Sequence, residues 1–343
     1  MNKRVTMSDV AKRAKMSRAT VSAVLGNKEH CFASEATKIM IKETASEMGY
    51  IPNLLARGLK NGRTFTIGLI ESSIQNEVKQ QEVVQFTNLL SERGYRLYVS
   101  YYKGEERLLR QACEDLLARG SDALIISGRC EPAEYQIVNK ITNRAIFITS
   151  NFLDGERERT ISSDYSVGIM EAGSYLHDTL GHRDIRMLGR YWNTFFQDSR
   201  VLAFQKMLKQ FDLPIDNAIQ AVAQLTEITP GFMKKFFTDS PDCTAIICSN
   251  DLVAMKVIQS CTKIGIAVPK DISVIGFDDI EASSCSTPPL TTIQHPLAEV
   301  ASEAFKLLMN MLEDSNNLVC HRLPARLVIR ESCDAPRNKD IKL

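Results

Sequence analysis

From residue 64 onward, short apolar runs alternate with amphipathic stretches, and this alternation narrows the fold more than any other feature of the 343-residue chain. The runs Thr66–Glu71, Arg96–Tyr101, Ala123–Ser127, Ala145–Thr149, Ile185–Gly189, Ala218–Ala221, Ala245–Ser249 and Ser273–Phe277 have the length and composition of strands. Between them, Val83–Arg93, Glu106–Arg119, Met170–Leu180, Arg200–Phe211 and Asp251–Ile264 carry apolar residues at helical spacing. Strand, helix and strand in succession predict parallel sheets covered by helices on both faces. Ligands of such sheets bind beyond the carboxyl ends of the strands.

The first fifty residues read differently. Thr6-x-x-Asp9, Ser17-x-x-Thr20 and Ser34-x-x-Thr37 each place a hydroxyl before apolar residues at helical spacing, the signature of a capped helix start. Three short helices follow, the first two joined only by the stretch around Lys15-Met16, with Gly49 as a left-handed stop. That is the spacing of a helix-turn-helix, whose second helix enters the major groove. The formal net charge of +1 hides an asymmetry. Residues 1–62 hold eleven Lys/Arg and five Asp/Glu, a balance of +6 that leaves −5 on the remainder. A basic head on a mildly acidic body predicts that only the head meets a polyanion, although a solvated basic face would look the same. The helix start would then present Arg18, Ala19, Ser22 and Ala23 to base edges, with Ser17, Thr20 and Asn27 near phosphates and Thr6 also at the DNA.

The segments Val5-Thr6-Met7-Ser8-Asp9-Val10-Ala11, Ser17-Arg18-Ala19-Thr20-Val21-Ser22-Ala23-Val24-Leu25 and Gly49-Tyr50-Ile51-Pro52-Asn53-Leu54-Leu55-Ala56-Arg57-Gly58-Leu59 resemble the signature of the lac repressor (LacI/GalR) family. Lys15 replaces the usual turn glycine, and Gly26 a common asparagine. The resemblance continues through Ser163-Asp164, Gly181-His182-Arg183, Ser249-Asn250-Asp251, Val268-Pro269-Lys270-Asp271-Ile272-Ser273-Val274-Ile275-Gly276-Phe277-Asp278-Asp279, Pro288-Pro289-Leu290-Thr291-Thr292-Ile293 and Leu323-Pro324-Ala325-Arg326, and so covers nearly the whole chain. It implies an all-α helix-turn-helix head (1–50), a hinge helix and linker (51–63), an α/β effector-binding body (64–333) and a tail (334–343). The body would be two doubly wound parallel-sheet lobes like those of periplasmic binding proteins, one about 64–162 and 294–322, the other about 163–293 and 323–333. The hinge implied by the resemblance uses Asn53, Ala56, Arg57, Leu59 and Lys60 on DNA, with Leu59 as an apolar wedge in the minor groove. Gly58 lowers helix propensity there by about 1 kcal/mol relative to alanine.

The resemblance places the effector positions on Arg200, Asn250 and Asp278, with Ser72, Thr149, Trp192, Thr194, Phe196 and His295 as further candidates. A guanidinium fork, an amide and a carboxylate suit a hydroxyl-rich ligand. Each has a plainer alternative: Asp278 and Asn250 as caps, Arg200 in an ion pair, Trp192 in packing. Where the family commonly has Asn-Pro-Phe/Tyr after the first body strand, this chain reads Ile74-Gln75-Asn76-Glu77-Val78, which removes an aromatic and introduces a carboxylate. The family also implies a cytoplasmic homodimer that binds a pseudo-palindromic operator under the control of a sugar-like effector. A DNA-binding regulator without an effector is the alternative. No cofactor, metal or membrane partner is expected: nine cysteines form no CxxC pair, no apolar run nears the length of a membrane span, and no secretory leader is evident. No GxSxG, P-loop or triad-like grouping points to an enzyme. An exported solute-binding protein would need a leader and no basic head.

Overall fold

The computed structural model describes residues 5–26, 31–51, 62–73, 77–149, 158–190, 198–313 and 320–337. The chain divides into two compact units, Met1–Thr64 and Phe65–Leu343. In the first, α1 (Met7–Arg13), α2 (Arg18–Leu25) and α3 (Glu35–Glu47) each begin at the hydroxyl foreseen from the sequence. Thr6 and Asp9 form a reciprocal capping box, while Ser17 Oγ accepts the Thr20 amide at 3.0 Å and Ser34 Oγ the Thr37 amide at 3.3 Å. Val10, Val21 and Ile41, all fully buried, bring the three helices onto one small core. Lys15 adopts the left-handed conformation expected of a glycine substitute (φ 52°), and Gly49 ends α3 at φ 63°. A non-glycine residue there costs about 1 kcal/mol, which the core must offset.

The second unit holds two six-stranded sheets. The first contains β1 (Thr66–Glu71), β2 (Arg96–Tyr101), β3 (Ala123–Gly128), β4 (Ala145–Thr149), β5 (Thr160–Asp164) and β11 (His321–Pro324), in the order β11-β5-β4-β3-β1-β2. Every neighbouring pair in it is parallel. Helices α4 (Glu77–Glu92) and α11 (Leu297–Leu312) cover one face over Ile67, Leu69 and Ile146; α5 (Glu106–Ala118) and α6 (Pro132–Ile141) cover the other over Ile70, Leu124 and Phe147. Alternate residues of β1 thus feed opposite cores, as the two-residue period of a strand requires.

The second sheet contains β6 (Ile185–Arg190), β7 (Ile219–Val222), β8 (Ala245–Cys248), β9 (Ser273–Asp278), β10 (Thr291–Gln294) and β12 (Arg326–Val328), in the order β12-β10-β9-β8-β6-β7. All pairs are parallel except β12, which runs antiparallel to β10. Helices α7 (Tyr165–Ser174) and α8 (Ser199–Gln210) pack on one face; α9 (Pro230–Asp239) and α10 (Asp251–Lys263) pack on the other. The chain passes between sheets three times, after β5, after β10 and between β11 and β12.

Several elements differ from the sequence reading. The helix expected from Val83 starts at Glu77, because Val78, Glu82, Phe86 and Leu90 share one buried face. Glu82 occupies an apolar slot there and disguises the periodicity. The helix expected from Met170 starts at Tyr165, capped by Asp164, and continues as a π turn over Tyr175–Thr179. Strand β5 remains in the first sheet through Asp164, so the passage lies beyond residue 162. The expected tail is anchored at its start: the Asp334 amide donates to Ser273 Oγ at 3.1 Å, and its carbonyl lies 3.0 Å from His182 Nε2. His182 is buried, and that burial pushes its pKa down to about 4, so the ring is neutral where it holds the tail. None of the nine cysteines forms a disulfide. Among the described residues, no helix is long and apolar enough to cross a membrane.

Gly276 in β9 packs against Asp251: a Cβ there would meet Asp251 Oδ1 at 2.1 Å and Leu290 Cδ2 at 2.7 Å. Gly276→Ala is expected to cost about 1–3 kcal/mol of body stability, read as a lower denaturation midpoint. An unchanged midpoint would contradict this packing.

Candidate nucleic-acid interface and ligand cleft

At the N-terminus of α2, Arg18 and Ala19 are exposed, while Ser22 and Ala23 are half-buried one turn later. The Arg18 guanidinium has no ion-pair partner among the described residues, and Lys12, Arg13, Lys15 and Lys42 are exposed on the same unit. Ser17 is engaged in capping, with its Oγ also 2.8 Å from Thr20 Oγ1, and Thr6 is engaged with Asp9. Those hydroxyls therefore set the geometry of the helix starts first. Asn27, Asn53, Ala56, Arg57, Leu59 and Lys60 lie outside the described residues.

In the second unit, the carboxyl ends of the strands gather a polar group. Arg200, in the first turn of α8, pairs with Asp198 through Nε to Oδ1 (2.8 Å) and Nη2 to Oδ2 (3.2 Å). Asp198 also caps α8, and Arg200 Nη1 donates to the Ser249 carbonyl at 2.9 Å. The Arg200 guanidinium carbon stands 5.8 Å from the Tyr165 ring centroid and 5.5 Å from that of Phe277. Burial works against ionisation of Asp198, but the Arg200 charge and its hydrogen bonds keep the carboxyl below its usual range. The partner of Arg200 is thus a buried carboxylate, where the sequence left open a surface one.

Asp278 ends β9 in a left-handed conformation (φ 105°), and Asp279 follows at φ 57°. Asp279 pairs with Arg330 at 2.7 Å, while Asp278 makes no ion pair among the described residues and lies within the field of the Arg200 charge. Burial pushes the Asp278 carboxyl up to about 7; Arg200 opposes the shift, and Asp251, Asp198 and Glu77 add to it. Asp251 secures this turn from behind, accepting the Ile280 amide at 2.9 Å and the Ser283 hydroxyl at 2.7 Å. Asn250 caps α10, its Oδ1 accepting the Val253 amide at 2.9 Å, which leaves its NH2 group as the donor it can offer a ligand.

From the other sheet come Ser72, whose amide donates to the Ser127 carbonyl at 3.0 Å, and Thr149, whose hydroxyl donates to the Arg129 carbonyl at 2.7 Å. The Thr149 donor is therefore committed to the protein. His295 follows β10; its Nε2 lies 3.2 Å from Ser163 Oγ, and its buried Nδ1 has no hydrogen-bond partner among the described residues. Burial, reinforced by the Lys79 and Arg200 charges, lowers its pKa to about 3, so the ring is neutral. Trp192, Thr194 and Phe196 lie outside the described residues.

Sequence reasoning missed the charged group at the end of β1. Lys79 Nζ donates to Glu82 Oε2 at 2.7 Å and to Ser127 Oγ, and stands 3.4 Å from Glu71 Oε2. Burial disfavours the Lys79 cation, yet Glu82 and Glu71 hold its pKa above the usual lysine range. Among the described residues neither Glu71 oxygen receives a hydrogen bond, and burial pushes that carboxyl up to about 8, with Lys79 opposing and Glu82 assisting. The available signal was a glutamate closing an apolar strand and a lysine with a second glutamate at core-facing helical spacing. Asp198, two residues before Arg200, carried no comparable signal. Folded Glu71 keeps its proton to about pH 8, whereas an unfolded glutamate releases it near 4.3. The native chain therefore loses stability from this group as pH rises between those values. Glu71→Gln, which cannot ionise, is expected to gain on the native chain between pH 5 and 8 in thermal unfolding; a pH-independent difference would contradict the assignment.

Family models match the chain twice: "Bacterial regulatory proteins, lacI family" over residues 6–53 and "Periplasmic binding protein-like domain" over residues 175–333. The ribose operon repressor of Escherichia coli (strain K12) is 30% identical over 311 residues, covering 90% of this chain and 93% of its own. The HTH-type transcriptional repressor PurR of Pectobacterium atrosepticum is 29% identical over 344 residues, covering 96% and 98%. Among solved structures, the lac repressor dimer bound to operator and the anti-inducer ONPF superposes with a TM-score of 0.84 at 25% identity, covering 97% of this chain and all of that one. With a helix-turn-helix head, a two-sheet body and relatives that span nearly its whole length, the chain belongs to the lacI family of bacterial regulatory proteins.

Proposed function

We propose that the protein is a cytoplasmic homodimeric repressor whose operator affinity is set by a small polar effector, a carbohydrate or a derivative of one. The observation that carries this reading is the buried Arg200–Asp198 pair at the carboxyl ends of the second sheet, whose cation acts on the Asp278 carboxyl at the end of β9. A guanidinium and a carboxylate set side by side can donate to and accept from neighbouring hydroxyls of one ligand. Asn250, Ser72 and His295 complete the set of polar groups; Thr149 contributes through its position.

Two α2 helices of a dimer would read successive major grooves, with Arg18 contacting guanine and Ala19 a thymine methyl. The paired segments around Leu59 would occupy the minor groove between them. Effector binding would then change the orientation of the lobes and lower operator affinity. Repression follows from occupancy of the promoter. The relatives are transcriptional repressors, and the chain is a regulator of that kind and not an enzyme.

The test is selection of an operator from random duplexes, followed by fluorescence anisotropy at physiological salt with a panel of sugars and sugar derivatives. One compound that releases the operator supports the reading; a protein with no sequence preference overturns it. Arg18→Ala is expected to cost about 1–3 kcal/mol and relax specificity at one base position, whereas a phosphate contact would weaken all sequences equally. Asp278→Ala is expected to bind operator normally and resist release by the effector. Loss of folding in that variant, seen by circular dichroism, would assign the carboxylate a structural role instead.

A further inference from the structure

Two successive residues without the freedom of glycine, Asp278 (φ 105°) and Asp279 (φ 57°), occupy the left-handed region at the end of β9. Such a turn keeps its shape only where its surroundings hold it. One hold is at Asp279, whose Oδ1 pairs with Arg330 Nη2 at 2.7 Å and whose Oδ2 accepts from Gln294 Nε2 at 2.9 Å. The other comes from the opposite side. Asp251 Oδ2 accepts the Ile280 amide at 2.9 Å and the Ser283 hydroxyl at 2.7 Å, and its Oδ1 accepts the Thr292 hydroxyl. Asp251 is 1% exposed, so these three donors reach its carboxylate and a solute in the cleft does not.

Each end of this network lies beside a candidate effector group of the second lobe. Ile280 is two residues beyond Asp278, Thr292 lies on β10 three residues before His295, and Asp251 itself follows Asn250 at the start of α10. One buried carboxylate thus joins a helix start, a strained turn and a neighbouring strand, and Gly276 leaves the room for it. We infer that Asp251 is a positioning residue of the effector site, a role that rests on the cleft being that site: it fixes the relative places of Asn250, Asp278 and His295 without touching the effector. Groups that recognise one ligand together work only when held to about 0.5 Å by side chains that are themselves fixed. Asp251 meets that condition, since Thr292 and Ser283 are fully buried and would be costly to leave unpaired.

The test compares Asp251→Asn with Asp251→Ala, which remove the same charge. Asparagine can rebuild all three bonds, its Oδ1 accepting from Ile280 and Ser283 while its Nδ2 donates to Thr292 Oγ1; alanine can rebuild none. The first measurement needs no ligand: the titration of Asp278, followed by carboxyl carbon-13 NMR on the full chain. The native carboxyl is expected to titrate near pH 7, held up by burial, with Arg200 opposing and Asp251, Asp198 and Glu77 assisting. Asparagine should lower that midpoint, because one negative charge is gone, yet leave it well above the ordinary aspartate value near 3.9. Alanine should bring it to that value, because the turn no longer keeps the carboxyl in its buried place. The second measurement is release of operator by D-ribose, D-glucose and D-galactose in fluorescence anisotropy. Asp251→Ala is expected to need about tenfold more of any sugar that acts on the native chain, and Asp251→Asn to stay close to native. Equal Asp278 midpoints in the two variants, or an alanine variant released as readily as the native chain, would overturn the positioning role. Should Asp251→Ala fail to fold, the double variant Ser283→Ala with Thr292→Val takes its place; an Asp278 midpoint unmoved from the native one would overturn the role, and a lowered one would support it. Failure of all three sugars on the native chain counts against the cleft as the effector site, while the titration still judges Asp251.

Discussion

Burying a guanidinium and a carboxylate costs several kcal/mol per ion, and the Arg200–Asp198 pair offsets that cost with two-pronged geometry and a third hydrogen bond to the Ser249 carbonyl. The rest of the body's polar end depends on this pair. It ties the start of α8 to the end of β8 through Ser249, sets a cation beside the Tyr165 and Phe277 rings, and supplies the charge that partly restrains the upward shift of Asp278. Tyr165 begins the helix that follows the first passage between sheets, and Phe277 precedes Asp278 on β9. The pair therefore sits where a change in lobe orientation would be felt.

The opposite wall solves a similar problem in another way. Lys79 balances Glu82 and leaves Glu71 to hold a proton, so the three ionisable side chains carry no net charge together, where three ionised groups would leave −1. Glu77 bridges the lobes through a backbone amide instead of a cation. One lobe thus supplies a committed ion pair, and the other an ion pair with a protonated carboxyl beside it.

Much of this was legible in the sequence for reasons that can be named. Caps reveal helix starts because only a few side chains can satisfy the first amides, and Thr6, Ser17 and Ser34 do so where expected. Strand boundaries followed apolar runs to within a residue or so at β1, β2 and β4. The start of α4 was not legible, since periodicity counts Glu82 as polar and cannot see that Lys79 neutralises it. The resemblance to a family located Arg200, Asn250 and Asp278. It could not say that Asn250 spends its oxygen on capping, that Thr149 donates to a carbonyl, or that Asp198 turns Arg200 into a fixed element. Those are properties of distances between residues far apart in the chain.

If ligand in the body controls DNA binding by the head, the two affinities must be linked by one coupling free energy. The direct measurement is the effector's dissociation constant, by calorimetry, with and without saturating operator duplex. Operator is expected to weaken effector binding by the same factor by which effector weakens operator binding. An effector affinity that does not change when operator is bound would contradict it.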